Sequence, residues 1–307
     1  MNTGIKNKDR FTERVKTKRL FLVAFLSLFL IPCSISAAKK PVVKAALSTE
    51  QEQQFKYYWY AARQAITDER YSDAYTLLQF CSWINPNDGT VLYQLGILYQ
   101  GLGHAEEAKY NFEQAYESGL VQENLCEQLK LIYINEGQWE KALKMQDEID
   151  KCAEYDALSA LTRYRIYAMW GKPKQALKAL DKYLEYDPAN LRFLLFRLEL
   201  MEQMGVKPKE LYAMYDKILE LDPFNLMVLN NYAYHLATHK GDLKNAERMS
   251  AITIREEPNN PIYLDTYGWI LHLQGQDDLA KFYLTRAYIN ATDASKEEIT
   301  THLNAIK

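Results

Sequence analysis

The sequence has 307 residues, of which 37 are Lys or Arg and 40 are Asp or Glu, for a net charge of −3. Residues 1–38 carry seven of the basic and two of the acidic side chains, which leaves 30 basic and 38 acidic ones and a net charge of −8 for the rest. This acidic balance argues against nucleic acid or an anionic membrane surface as a partner. With 12 glycines, 9 prolines and 23 tyrosines, the composition favours helices with bulky contact surfaces over a sheet protein.

The first 38 residues have the order of a secretory signal peptide. Seven basic residues precede the apolar run 20–31, and small residues follow Pro32. Basic, apolar and then small residues are typical of such a signal. Ser36 and Ala38 suit the two small positions before a cleavage site, which places cleavage before Lys39. The sequence therefore predicts export to the periplasm or cell envelope.

Two alternatives stay open for this segment. An uncleaved anchor needs about 20 apolar residues, and residues 20–38 supply 19 only if Pro32, Cys33 and three serines are included. Cys33 also resembles the lipid-attachment cysteine of bacterial lipoproteins, although Pro32 before it fits that pattern poorly. A membrane is a partner only if the segment is retained as an anchor.

Residues 39–54 are predicted to form a tether and the start of the first helix. Gln51 lies three residues after Ser48, and Glu52 lies three residues after Thr49. That spacing forms a capping box, in which each side chain bonds to the other residue's backbone N–H. We therefore expect the first helix to begin here.

Residues 55–294 are predicted to form seven helical-hairpin repeats of about 34 residues each. The last repeat carries two apolar stripes at helical spacing, Leu264, Tyr267 and Leu271, then Ala280, Leu284 and Ala287. The small residues Gly268 and Ala280 allow the two helices to approach closely, and Gly275 breaks the chain between them. Such a hairpin must stack on copies of itself to bury its apolar face.

The seven repeats keep their phase with two single-residue insertions. They span 55–88, 89–122, 123–156, 157–191, 192–225, 226–260 and 261–294. Two residues depart from the pattern: Gln146 replaces a large apolar residue in the third repeat, and Arg163 replaces a leucine in the fourth. The fifth repeat fits the pattern least well.

Residues 295–307 are predicted to form a capping helix. The last pair of a helical solenoid exposes an apolar face unless a half-polar helix covers it. Ile299, Leu303 and Ile306 lie on one side of this helix, and polar residues lie on the other.

The repeat pattern resembles that of the tetratricopeptide repeat (TPR) family over residues 55–294. The segments 229–234, 258–261 and 263–269 are also similar to the paired terminal repeats of exported bacterial TPR proteins. The resemblance implies an all-α fold, a TPR superhelical solenoid of antiparallel helix pairs with a C-terminal capping helix. It also implies a scaffold that binds protein or peptide segments, without catalysis or a cofactor of its own.

In the TPR family, the first helix of each pair lines the inner groove. By repeat position, the resemblance implies a partner-binding groove with these polar and aromatic members: Trp59, Arg63, Tyr93, Glu127, Arg165, Asn230, Tyr234, Asp265, Trp269 and His272. Aromatic rings and arginines are common binding anchors, and this lining suits an extended peptide or a partner helix. The residues with which some TPR domains hold a partner's terminal carboxylate are absent from the equivalent positions.

The sequence carries no nucleophile elbow, phosphate-binding glycine loop or CxxC motif. His235 and His239 are spaced to share one helix face, but no third ligand is nearby in sequence, so we expect a packing pair and no metal. Cys81, Cys126 and Cys152 are an odd number, which argues against a disulfide framework. We expect buried thiols, and a single bridge between Cys126 and Cys152 stays open.

Together these features predict a non-catalytic TPR scaffold for protein–protein interactions at the bacterial cell envelope. The alternative is a homo-oligomerising structural spacer. It rests on Phe193, Phe196, Leu200 and Met204, which would form an exposed apolar strip that a second copy could cover.

Overall fold

The computed structural model describes residues 46–152 and 156–306. The predicted signal peptide, residues 1–38, and the first part of the tether lie outside the described residues. The capping box is confirmed: the Ser48 hydroxyl accepts a hydrogen bond from the backbone N–H of Gln51 (3.2 Å). In return, the Gln51 side chain accepts one from the backbone N–H of Ser48 (3.0 Å).

The chain divides into two compact units between Gly171 and Lys172. The described residues of unit one form seven helices: α1 (Thr49–Thr67), α2 (Tyr71–Ile84), α3 (Gly89–Leu102), α4 (Ala105–Glu117), α5 (Glu123–Asn135), α6 (Trp139–Cys152) and α7 (Ala157–Met169). Those of unit two form eight: α8 (Pro173–Tyr186), α9 (Leu191–Gln203), α10 (Pro208–Leu221), α11 (Leu226–Thr238), α12 (Leu243–Glu256), α13 (Pro261–Leu273), α14 (Asp277–Asn290) and α15 (Lys296–Ala305).

The predicted fold class is confirmed, because every regular element of the described residues is an α-helix and consecutive helices pack in pairs. In unit one, α1 packs on α2, α3 on α4 and α5 on α6. In unit two, α9 packs on α10, α11 on α12 and α13 on α14, and the C-terminal helix α15 packs on α13 and α14. The short turns make the two helices of each pair antiparallel.

Side-chain caps and glycine turns set the ends of the helices. The carboxylate of Asp88 accepts from two backbone N–H groups at the start of α3, and Asn260 caps α13 in the same way. Gly103 ends α3 with φ 84°, and Gly275 follows α13 with φ 78°. Only glycine adopts this left-handed conformation without strain. The chain therefore reverses after the first helix of these pairs, as the sequence predicts.

Small residues lie where paired helices cross most closely. A Cβ atom built on Gly96 would stand 2.6 Å from the ring of Phe112, and one built on Gly268 would stand 2.7 Å from Cγ of Leu284. Both distances are shorter than any ordinary contact between carbon atoms. Ala108 and Ala280, on the second helix of these two pairs, are fully buried. The close approach that the sequence predicts at Gly268 and Ala280 is confirmed, and the same packing occurs at Gly96 and Ala108.

Candidate protein-binding surfaces

Five of the predicted groove residues lie in unit one. They are on the first helix of successive pairs: Trp59 and Arg63 on α1, Tyr93 on α3, Glu127 on α5 and Arg165 on α7. Arg63 and Arg165 are exposed, whereas the other three are partly buried. We call these five residues the unit-one groove positions. They combine accessible charges with rings that are anchored in the core.

The two rings pack against apolar clusters of unit one. Trp59 lies against the cluster that includes Leu78 and Leu95. The ring centroid of Tyr93 is 5.8 Å from that of Phe112, and burial raises the pKa of Tyr93 to about 12. Packing fixes the positions of these rings, so a partner that contacts their free edges would meet a rigid surface.

Glu127 is the one acidic member of the unit-one groove positions, and it is paired. Nζ of Lys130 lies 2.7 Å from Oε1 of Glu127 and also donates to Oε1 of Gln146 at 2.9 Å. The Lys130 side chain is only 7% exposed. A buried ammonium group needs such partners because its desolvation is costly. The hydrogen bond to Lys130 therefore explains why a polar residue, Gln146, occupies an apolar position of the repeat.

The same network continues from α6 to α7. The Gln146 amide donates to Oδ1 of Asp150 at 2.7 Å, and the Ser159 hydroxyl donates to the same oxygen at 2.8 Å. Nη2 of Arg163 donates to Asp147 at 2.7 Å and to the second oxygen of Asp150. The two departures from the repeat pattern, Gln146 and Arg163, therefore belong to one polar network that joins α5, α6 and α7.

The other five predicted groove residues lie in unit two, Asn230 and Tyr234 on α11 and Asp265, Trp269 and His272 on α13. All five are buried or partly buried. Asn230 is 4% exposed, and its Oδ1 has no hydrogen-bond partner among the described residues. His272 bonds through Nδ1 to Oδ1 of Asp277 at 2.7 Å.

Helix α15 contacts three of these residues. The Tyr234 hydroxyl donates to Oε1 of Glu298 at 3.2 Å. Nδ1 of His302 lies 2.9 and 3.0 Å from the two carboxylate oxygens of Asp265, and both side chains are buried. The indole of Trp269 stacks on the His302 ring, with centroids 4.3 Å apart and planes at 19°. We call Tyr234, Asp265, Trp269, Glu298 and His302 the C-terminal cluster.

Glu298 and His302 were not predicted as site residues from the sequence. They lie four residues apart on α15, next to Ile299, which is buried against Leu264 and Ala287. A histidine beside the apolar stripe of a capping helix was the available signal. Since His302 already contacts the buried carboxylate of Asp265, a partner could reach that carboxylate only if α15 moved away. The accessible charges at predicted groove positions are therefore in unit one.

His235 and His239 stack with ring centroids 5.3 Å apart. Nδ1 of His239 lies 3.0 Å from the backbone oxygen of His235 and 3.1 Å from the Thr238 hydroxyl. Burial lowers the pKa of His235. Each histidine thus has neighbours that account for its position.

The described residues include three cysteines, of which Cys81 and Cys126 are free thiols. Cys81 and Cys126 are buried, and burial raises the pKa of each to about 12. Cys152 is partly exposed at the end of α6. At Cys81 and Cys126 the thiol fills space in the core. None of the helices in 46–152 or 156–306 is both long enough and apolar enough to cross a membrane.

Antiparallel helix pairs of this length, packed through glycine and alanine at fixed repeat positions, give the described residues the fold of a TPR-like helical solenoid. No protein-family model matches the sequence, and no curated protein matches it. Among solved structures, the chain is similar to a tetratricopeptide repeat protein from Parabacteroides merdae ATCC 43184, with 17% identity, coverage of 82% of this chain and 98% of that one, and a TM-score of 0.40.

Two further solved structures are similar over a shorter part of the chain. MamA from Desulfovibrio magneticus RS-1 has 17% identity and a TM-score of 0.39, and the match covers 56% of this chain and 97% of that one. PilW, a type IV pilus biogenesis factor, has 19% identity and a TM-score of 0.42, with coverage of 59% and 86%.

Proposed function

We propose that this protein is a non-catalytic scaffold that binds an extended segment or a helix of another protein at the unit-one groove positions. The observation that carries the proposal is the combination of exposed Arg63 and Arg165 with the anchored rings of Trp59 and Tyr93 on successive first helices. Arginines and aromatic rings supply much of the binding energy at protein interfaces.

Rigidity supports this choice of surface. The polar network from Lys130 to Arg163 joins α5, α6 and α7 by buried and partly buried hydrogen bonds in unit one. A surface that is ordered before binding spends little free energy on its own ordering when a partner arrives. The display of fixed side chains, rather than a chemical step, is the mechanism we assign to the protein.

The site of action we propose is the periplasm or the cell envelope. Support comes from the order of basic, apolar and small residues in 1–38. Residues 39–54 then connect this segment to seven repeats over 55–294 and a cap over 295–307. A partner would be another exported or envelope protein, and the acidic balance after residue 38 disfavours nucleic acid.

Charge reversal tests the proposed binding surface. Arg63→Glu together with Arg165→Glu changes two exposed residues, so helix content and melting temperature should stay the same. We expect a partner captured from envelope extract by the purified wild-type chain to be lost with this variant. Lys174→Glu with Lys178→Glu on α8 makes the same change of charge at two exposed positions and should capture the partner normally. Equal capture by both variants would refute the proposed surface.

The alternative of a homo-oligomerising spacer depends on how exposed the apolar residues of α9 and its C-terminal end are. Leu200 is buried, and Phe193, Phe196 and Met204 are partly buried. The Phe193 ring lies 4.3 Å from that of Tyr183. These contacts leave the four side chains less exposed than a free apolar strip would be, which weakens the support for the alternative. Light scattering of the purified chain decides the question, since a monomer at micromolar concentration removes the alternative.

A further inference from the structure

We propose that Asp265, Glu298 and His302 form a binding site for one divalent transition-metal ion, with Zn²⁺ as the best match. These three side chains come from α13 and α15. One candidate ligand atom from each, a carboxylate oxygen or a ring nitrogen, lies within 4.8 Å of the other two. The proposal goes beyond the scaffold function, since it concerns a different surface and a different ligand.

The separations suit a metal ion. Zn²⁺ binds imidazole nitrogen and carboxylate oxygen at about 2.0–2.2 Å, so two ligands of one ion stand about 3.0–3.5 Å apart. Nδ1 of His302 already lies 2.9 and 3.0 Å from the two oxygens of Asp265. An ion that takes the place of the shared proton needs only a small outward shift of these two groups.

Glu298 supplies the third ligand from the exposed side of the site. Its Oε1 accepts from the Tyr234 hydroxyl at 3.2 Å, and its exposed side chain can turn to bring either oxygen toward the ion. A carboxylate that reaches solvent also gives the ion and its remaining water ligands a path into the site. The other two ligands, Asp265 and His302, are buried.

The neighbouring residues hold the ligands in place, as outer-shell contacts do in metal sites. Trp269 stacks on the His302 ring and restricts its rotation. The Tyr234 hydroxyl donates to Glu298 and so orients its carboxylate.

The ligand types favour a transition metal over Mg²⁺ or Ca²⁺. Those two ions prefer sets of six or more oxygen ligands, whereas one imidazole with two carboxylates suits Zn²⁺ and its neighbours. Bound there, the ion would link α15 to α13. It would stabilise the folded chain in proportion to the logarithm of its concentration.

Calorimetric titration of the metal-free full chain with ZnCl₂ tests the site. We expect one ion per chain, and an affinity at least about tenfold weaker after His302→Gln or Glu298→Gln. Glu298 is exposed, so its variant serves as the arm that should fold normally, as checked by a melt in the presence of EDTA. The control is His235→Gln with His239→Gln, which removes the stacked histidine pair outside the site and should leave the affinity unchanged.

Two results would overturn the proposal. One is a folded wild-type chain that binds no Zn²⁺. The other is binding that His302→Gln and Glu298→Gln leave intact, which would assign the ion to the thiols or to the His235 and His239 pair.

Discussion

At the scale of single residues, contacts between small and large side chains hold the helix pairs together. Phe112 occupies the space that a side chain at Gly96 would fill, and Leu284 does the same at Gly268. The buried alanines Ala108 and Ala280 lie on the facing helices. In a core packed this closely, even one added methyl group changes the free energy of unfolding. Substitutions at these alanines therefore test how closely the two helices of each pair pack.

Replacement of Ala108 by leucine should therefore destabilise unit one. Three extra carbon atoms have no space at this fully buried position, and overpacking of this kind costs about 1–3 kcal/mol. Urea unfolding followed by circular dichroism measures the change. Ala105→Leu, an exposed position three residues earlier on α4, is the matched control and should change little. Equal midpoints for the two variants would contradict the packing described for α3 and α4.

The polar network of unit one makes a second prediction. Arg163→Leu restores the residue type that the repeat pattern favours, yet it should lower the free energy of unfolding by about 1–3 kcal/mol. The reason is that Asp150 keeps its charge in a mostly buried place after its guanidinium partner is lost. Chemical denaturation measures this change.

Two comparisons separate the network from a general effect of the substitution. Arg165→Leu makes the same change at an exposed position on the same helix and should be nearly neutral. Asp150→Asn in the Arg163→Leu background should recover part of the loss, because it removes the unpaired charge. A stability gain from Arg163→Leu alone would show that the network costs more than it contributes.

The buried thiols give a prediction that depends on pH. The pKa of Cys81 and Cys126 is raised from 9.0 to about 12, so at pH 8 the folded chain has about a thousandfold less thiolate at these sites than an unfolded chain. Iodoacetamide should reach Cys81 and Cys126 only on unfolding, as read by peptide mass spectrometry.

The same shifts affect stability at high pH. Each folded-state pKa lies above the unfolded value, so the stabilising contribution is complete below pH 9 and is lost as the pH rises toward 12.

Rapid native labelling of Cys81 at pH 8 would contradict its placement in the core.

At the scale of elements, α15 has two roles. Its apolar side closes the last helix pair through Ile299, Leu264 and Ala287. Its polar side places Glu298 and His302 against α11 and α13. The first role follows from the apolar stripe, whereas the second requires knowledge of how α15 is oriented on α13.

Ile299→Ala should test the first role alone. Removal of a fully buried isoleucine side chain costs about 2–5 kcal/mol, and the loss should appear as faster amide hydrogen exchange in α13 and α14. Exchange is measured in the presence of EDTA, so that a bound metal ion does not contribute to the stability of α15. Thr300→Ala, one residue along on the exposed side, should leave exchange in these helices unchanged. Unaltered exchange in Ile299→Ala would mean that α15 does not stabilise the last pair.

The sequence predicts the helix pairs, but it does not predict the polar contacts between side chains on different helices. Spacing at Gly275 and Ala280 predicts a turn and a close crossing, since backbone conformation and local packing are properties of short segments. Gln146 and Arg163 were visible as departures from the pattern, but their meaning depends on Lys130 and Asp150, which lie on other turns and helices. Hydrogen bonds between distant residues follow from tertiary packing, which repeat spacing does not encode.

At the scale of the whole molecule, the two compact units have different surfaces. Unit one presents exposed Arg63 and Arg165 at predicted groove positions. In unit two, α15 contacts three of the equivalent residues, Tyr234, Asp265 and Trp269. We therefore propose partner binding for unit one, and the metal site for the C-terminal cluster of unit two. Each assignment can fail without the other.

Photocrosslinking in intact cells tests the scaffold function most directly. A photoreactive amino acid replaces Arg63 or Arg165 in unit one, or Lys174 or Lys178 on α8 as controls, and captured proteins are identified by mass spectrometry. We predict that positions 63 and 165 capture the same envelope protein and that the controls do not. Capture of the same proteins at all four positions, or none at 63 and 165 while the controls react, would contradict it.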